Sequence, residues 1–135
     1  MPELIIPKDL LEKILHHCRT DFPNEACGIL SGKGGRVSRA YAMTNIEPSP
    51  VSYLMDPDEQ LSVQKKMREQ GEGMTAIYHS HPQSPAYPSA KDVNLAFYED
   101  AFYLIVSLSE GDIHEVKAYS IVEGRVSEAL LTISD

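Results

Sequence analysis

The chain has 135 residues, 42% of them hydrophobic, and carries 12 basic against 20 acidic side chains for a net charge of −8. That length suits one domain, residues 1–135, with a core that needs no staples. The acidity, with no basic run anywhere, argues against nucleic acid as a partner. The opening Met1-Pro-Glu-Leu has no basic segment ahead of a long apolar run, so neither a signal peptide nor a membrane span is expected, and the chain reads as cytoplasmic.

Pro7 fits the first position of a helix, and Leu10, Leu11, Ile14, Leu15 and Cys18 follow at helical spacing as its apolar face. His16 and His17 are adjacent, so they point in different directions and form no metal pair. Pro23 breaks the chain before Glu25 and the short apolar run Gly28-Ile-Leu-Ser31. A turn at Gly32-Lys-Gly-Gly35 then leads into a second strand from Arg36 to Met43. Cys18 and Cys27 make no Cys-x-x-Cys pair and no disulfide framework. They read as two buried thiols, one on a helix face and one at a strand start. Tyr53 to Met55 reads as a short extended piece. Asp56 caps a helix with Pro57 first and Glu59 closing a capping-box-like pair, and Gly71 stops it after Gln70.

Met74 to Tyr78 reads as a short buried strand leading into His79 and His81. Strand side chains repeat every two residues, so the two imidazoles share a face. Pro82, Pro85 and Pro88 forbid continuation of the strand and force a loop. Ser89 then suits the N-cap of a helix with Val93, Ala96 and Phe97 on one face, and Asp92 falls in its first turn, directed back at the loop. Taken singly, each piece has a structural explanation. A His-x-His pair can be a core or solvated pair, and Ser-x-x-Asp is a common capping box. Taken together, His-x-His-Pro followed six residues later by Ser-x-x-Asp has a chance frequency on the order of one in 10⁵ for a chain of this length.

Ala101 to Leu108 is a continuous apolar run, the pattern of a strand buried on both faces. Ile113 to Ile121 and Arg125 to Thr132 form a terminal hairpin about Glu123-Gly124. His114 lies on it and is assigned no role. The expected class is α/β, a central mixed sheet with helices on its faces.

The pattern of an upstream Glu, His-x-His-Pro, six residues and Ser-x-x-Asp resembles the zinc motif of the JAMM (MPN-plus) metalloproteases. Glu25, His79, His81, Pro82, Ser89 and Asp92 fill it without departure. The resemblance covers nearly the whole chain. Glu25-Ala-Cys-Gly28, Tyr78-His-Ser-His81, Ala86-Tyr-Pro-Ser89 and Leu104-Ile-Val-Ser107 look most like small bacterial members, some of which are peptidases acting on ubiquitin-like sulfur-carrier proteins. The resemblance implies a three-layer sandwich related to the cytidine-deaminase fold.

Two neutral imidazoles and a carboxylate suit Zn²⁺, with a fourth position left for a water whose pKa falls to about 7. His79, His81 and Asp92 are therefore the candidate ligands. The Ser89 hydroxyl can cap the helix with its oxygen and still donate its proton to a developing oxyanion. The resemblance assigns the proton carrier to Glu25. Cys27 has no basic partner to activate it, so a thiol nucleophile is a poor reading. The expected function is a zinc peptidase cleaving after the C-terminal Gly-Gly of a ubiquitin-like sulfur-carrier protein, with release of cysteine or a short extension and hence a link to cysteine biosynthesis. The loop Pro82 to Pro88 and an edge near Tyr53 to Met55 are candidate walls for that tail. The other readings are a non-catalytic MPN scaffold that binds a ubiquitin-like protein, against which the intact ligand set speaks, and a zinc deaminase. The deaminase would need His-x-Glu and Pro-Cys-x-x-Cys, and neither occurs. A homodimer is compatible with the chain but not indicated by it.

Overall fold

In the computed structural model, which describes residues 2–135, the chain opens with a strand, β1 (Glu3–Pro7), that the sequence reading did not anticipate. Only Leu4 and Ile6 of its five residues are buried, too short a pattern to stand out beside the strong helical face that follows. Pro7 is accordingly not the first helical residue. It sits in the extended conformation, at φ −59° and ψ 142°, as the cap of α1 (Lys8–Asp21).

The hairpin β2 (Cys27–Lys33) and β3 (Arg36–Met43) follows as expected. Asp56 caps α2 (Pro57–Glu69), its carboxylate accepting from Asp58 N at 2.9 Å. Glu59 closes no capping box. It reaches instead to the main-chain N–H and hydroxyl of Thr44 at 2.6 and 2.8 Å, fastening α2 to the end of β3. Tyr53 to Met55 is not a strand of the sheet. A single bridge, Asn45 to Met55, with flanking bonds from Ile46 N to Leu54 O and Asp56 N to Thr44 O, holds it against the chain that leaves β3.

Strand β4 (Gly73–His81) carries both histidines within its last residues. The helix after the loop, α3 (Ala90–Asn94), is only five residues long, so Phe97 is not on its face and is 73% exposed. Strands β5 (Phe102–Ser109), β6 (Asp112–Val122) and β7 (Arg125–Ser134) complete the chain.

The sheet is mixed, with strand order β1-β3-β2-β4-β5-β6-β7. The mixed sheet is as expected, and its two ends also meet: β1 pairs in parallel with β7 as well as touching β3, which closes the sheet into a barrel. The missed strand is the element that makes this closure. The separation of two faces nevertheless survives. Leu4, Ile6, Leu30, Tyr78, Leu104 and Val106 pack with Ile14 and Cys18 of α1. Cys27, Ile29, Ile77 and Tyr103 pack with Val63 and Met67 of α2.

Alternation along β4 therefore puts Ile77, His79 and His81 on the α2 side and Tyr78 on the α1 side. Tyr78 crosses its neighbour Gly28 so closely that a Cβ there would lie 2.0 Å from the ring. Its hydroxyl donates to Nδ1 of His17 at 2.6 Å, and Nε2 of His17 faces Asp21 at 3.1 Å. His17 is thus a packing residue joining α1 to β4. Both cysteines are buried, and burial pushes each thiol up to about 12, so neither offers a thiolate at neutral pH.

Candidate metal centre

Three elements bring the site together. The end of β4 supplies His79 and His81, and the start of α3 supplies Asp92. The residues just ahead of β2 supply Glu25. Nε2 of His79, Nε2 of His81 and Oδ2 of Asp92 form a near-equilateral triangle. The two nitrogens are 3.1 Å apart, and the carboxylate oxygen is 3.1 Å from His79 and 3.0 Å from His81. These are the donor atoms of a group that could hold a metal ion. A tetrahedral zinc with bonds of about 2.0–2.1 Å would separate its ligands by about 3.3–3.4 Å, close to this triangle.

The protons favour a cation at the same place. Nδ1 of His81 donates to the carbonyl of Pro85 at 2.8 Å, so in the neutral ring Nε2 is a bare lone pair. That lone pair points at a carboxylate oxygen and at a second imidazole nitrogen. Between the two nitrogens there is room for one proton at most. A metal ion bound to all three atoms removes the conflict.

Burial pushes His79 down from its ordinary value, which keeps the ring neutral as a ligand must be. Burial also acts against charging His81, but its bonds to Asp92 and to the Pro85 carbonyl carry it upward. Burial opposes ionisation of Asp92 as well. Its close contacts with His79 and His81 and the Ser89 N–H together hold it well below the carboxylate range.

The Asp92 side chain is set by a capping box. Its Oδ2 accepts from Ser89 N at 2.8 Å, and Asp92 N donates to Ser89 Oγ at 3.0 Å. Oγ therefore uses a lone pair for the cap and keeps its own proton free.

Glu25 is 3% exposed, and its Oε1 is buried without a hydrogen-bond partner. Burial raises its carboxyl from 4.5 to about 8; His81 opposes the rise, Asp92 reinforces it and Lys91 opposes it. The residue is held by its backbone. Its N–H donates to Ser49 O at 2.8 Å, its carbonyl accepts from Asn45 Nδ2 at 3.0 Å, and Ala26 N beside it donates to Ser80 Oγ at 2.8 Å. Ser80 lies between the two histidines, so this last bond ties the glutamate to their strand.

A cleft of about 300 Å³ opens beside the centre, with His79, Asp92 and Lys91 joined there by the apolar side chains of Tyr53, Leu54 and Leu95. Tyr53 also covers the His79 ring, 5.0 Å between centroids at 31°. Tyr53 to Met55 line this cleft, whereas Pro82 to Pro85 border a separate depression with Ser107 and Glu110. Asn45 is a site neighbour that the sequence does not announce: it comes from irregular chain with no spacing that marks it.

Residues 7–122 match the family of prokaryotic homologs of the JAB domain. The chain is a member of that family. It is 45% identical over 127 residues to the CysO-cysteine peptidase of Mycobacterium tuberculosis, covering 93% of this chain and 87% of that protein. It is 33% identical over 123 residues to a probable TtuB-protein conjugate cleaving protease of Thermus thermophilus, covering 90% and 78%. A protein of Desulfitobacterium hafniense of known solution structure superposes with a TM-score of 0.86 at 39% identity, covering 98% of this chain and 93% of that one. A JAB1/MPN-domain protein of Archaeoglobus fulgidus shares the JAB fold at a TM-score of 0.65 and 20% identity, covering 98% and 97%. Among the described residues no helix is long and apolar enough to cross a membrane.

Proposed function

We propose that this JAB-domain protein is a zinc peptidase that hydrolyses the bond after the C-terminal glycine of a ubiquitin-like carrier protein, releasing cysteine or a short extension. One observation carries the reading: three donor atoms converge at 3.0–3.1 Å, and the glutamate whose charge couples to His81 and Asp92 has a buried oxygen without a partner. A scaffold would have no use for either. The peptidase names of the Mycobacterium and Thermus relatives support it.

His79, His81 and Asp92 would hold the ion, and their two nitrogens and one oxygen suit zinc better than the all-oxygen demands of magnesium or calcium. When bound, zinc supplies Lewis acidity, polarising a carbonyl and acidifying water to a pKa of about 7. Glu25 takes the proton of the attacking water at its free oxygen and delivers it to the departing amine. The Ser89 hydroxyl, fixed by the cap, donates to the oxyanion that develops on the scissile carbonyl.

An extended tail can reach the centre along the cleft. Glycines lie against its aromatic walls without side-chain clash. The Thermus relative, named as a probable protease that cleaves protein conjugates, favours a second substrate for the same site, a carrier joined to another protein.

The test is incubation with a Gly-Gly-ending carrier extended by one cysteine, followed by mass. Loss of the cysteine with zinc, and none with a chelator or with Glu25→Gln, is the expected result. Intact carrier adduct alongside cleavage of unrelated unfolded proteins would refute the tail-specific reading.

A further inference from the structure

The loop from Pro82 to Pro88 has almost no regular structure, yet it must place Ser89 and Asp92 to within a fraction of an ångström. Its three prolines lack N–H donors, so the loop has little means of tying itself down. What remains to be gripped is its carbonyls, and three in succession are gripped from three different strands. Ser107 Oγ on β5 donates to Ser84 O at 2.6 Å. His81 Nδ1 on β4 donates to Pro85 O at 2.8 Å. The Tyr119 hydroxyl on β6 donates to Ala86 O.

The middle carbonyl is the one that sets the His81 tautomer, and it also accepts from Tyr87 N at 2.8 Å. Its two neighbours are held by residues the reaction does not use. Ser107 lies directly beside His81 in the parallel pairing of β4 and β5. Tyr119 packs with Ile105 and Ala86, which is 2% exposed, in a small apolar cluster under the loop. The Tyr87 ring stands edge-on to Tyr119 at 5.5 Å and 78°.

We infer that Ser107 and Tyr119 are positioning residues for the metal centre: by holding the carbonyls on either side of Pro85 they aim the acceptor that orients His81, and they fix the chain that delivers Asp92. The inference rests on the metal-centre reading above. Satisfying two carbonyls would by itself affect only stability. Aiming His81 and Asp92 affects the metal as well. Removal of a partner that orients a ligand typically weakens metal binding by about 10–100-fold.

The experiment measures zinc affinity, by competition with a chromophoric chelator, in full-length wild type, Tyr119→Phe, Ser107→Ala and Ser107→Thr. The visible spectrum of each cobalt-substituted protein is recorded alongside. The expected result is about a tenfold or greater loss of affinity in Tyr119→Phe and Ser107→Ala, with a shifted cobalt band. Ser107→Thr, which keeps a hydroxyl, should recover most of the loss. Wild-type affinity and spectrum in folded Tyr119→Phe and Ser107→Ala would overturn the inference. Should Tyr119→Phe not fold, the comparison of Ser107→Ala with Ser107→Thr decides in the same way. A wild-type protein that takes up no metal would overturn the metal-centre reading itself, and this inference with it.

Discussion

Asn45 donates to the main-chain carbonyl of Glu25 at 3.0 Å, and the same side chain makes three other bonds. Its Nδ2 also reaches Ser52 O at 3.2 Å, and its Oδ1 accepts from Glu47 N at 3.1 Å and Leu54 N at 3.0 Å. One buried amide thus sets both the glutamate and the Ser52 to Met55 wall of the cleft. Asn45→Ala should cost about 1–3 kcal/mol in urea unfolding, because it strands buried main-chain groups. Asn45→Asp keeps the two acceptor bonds and loses the two donor bonds. It should lower kcat, with the Glu25 carbonyl no longer gripped, while zinc content stays at the wild-type level. Unchanged kcat in Asn45→Asp would show that Glu25 needs no such support.

Glu25→Gln separates chemistry from binding. The variant should keep the metal and the fold while kcat falls by about 10²–10⁴, the range for loss of a general base. Turnover at the wild-type rate would place the proton carrier elsewhere.

The same carboxyl makes a pH prediction for the metal-free protein. Its folded value, raised by burial from 4.5 to about 8, means that folding disfavours the ionised form. Stability tied to this group is therefore fully present below about 4.5 and is lost as the pH rises toward 8. Glu25→Gln cannot ionise and should escape that loss. In the presence of a chelator it should match wild type at pH 4.5 and exceed it above pH 8, by on the order of 2–5 kcal/mol. Equal unfolding midpoints across this range would show that the buried oxygen is not destabilising when charged.

The convergence of His79, His81 and Asp92 was legible in the sequence because it is built from local rules. Alternation aligns the two imidazoles, prolines stop the strand, and a capping box turns the aspartate back. The capping of α2 by Asp56 and the terminal hairpin were legible for the same reason. What could not be read was long-range. Leu4 and Ile6 form a strand only because β7 is there to receive them, and the barrel closes through that pairing. Asn45 and Tyr119 reach the site from irregular chain and a distant strand, and neither periodicity nor motif marks them. Phe97 followed the helical spacing on paper, but α3 ends before it.

Ser89→Ala removes a cap and a proposed oxyanion donor at once, and the two losses differ in size. The cap is worth about 1 kcal/mol of stability. The donor is worth about 10²–10³ in kcat. Ser89→Asp should preserve the cap but lack the proton, so its unfolding midpoint should stay near wild type while its kcat remains low. Recovery of kcat in Ser89→Asp would assign Ser89 to capping alone.

The claim on which everything else depends is that His79, His81 and Asp92 hold one metal ion. Elemental analysis of protein purified without chelator tests it directly, across wild type, His79→Ala, His81→Ala and Glu25→Gln. The expected result is one zinc per chain in wild type and in Glu25→Gln, with most of it lost in either histidine variant. Full zinc retention in both histidine variants would contradict the claim.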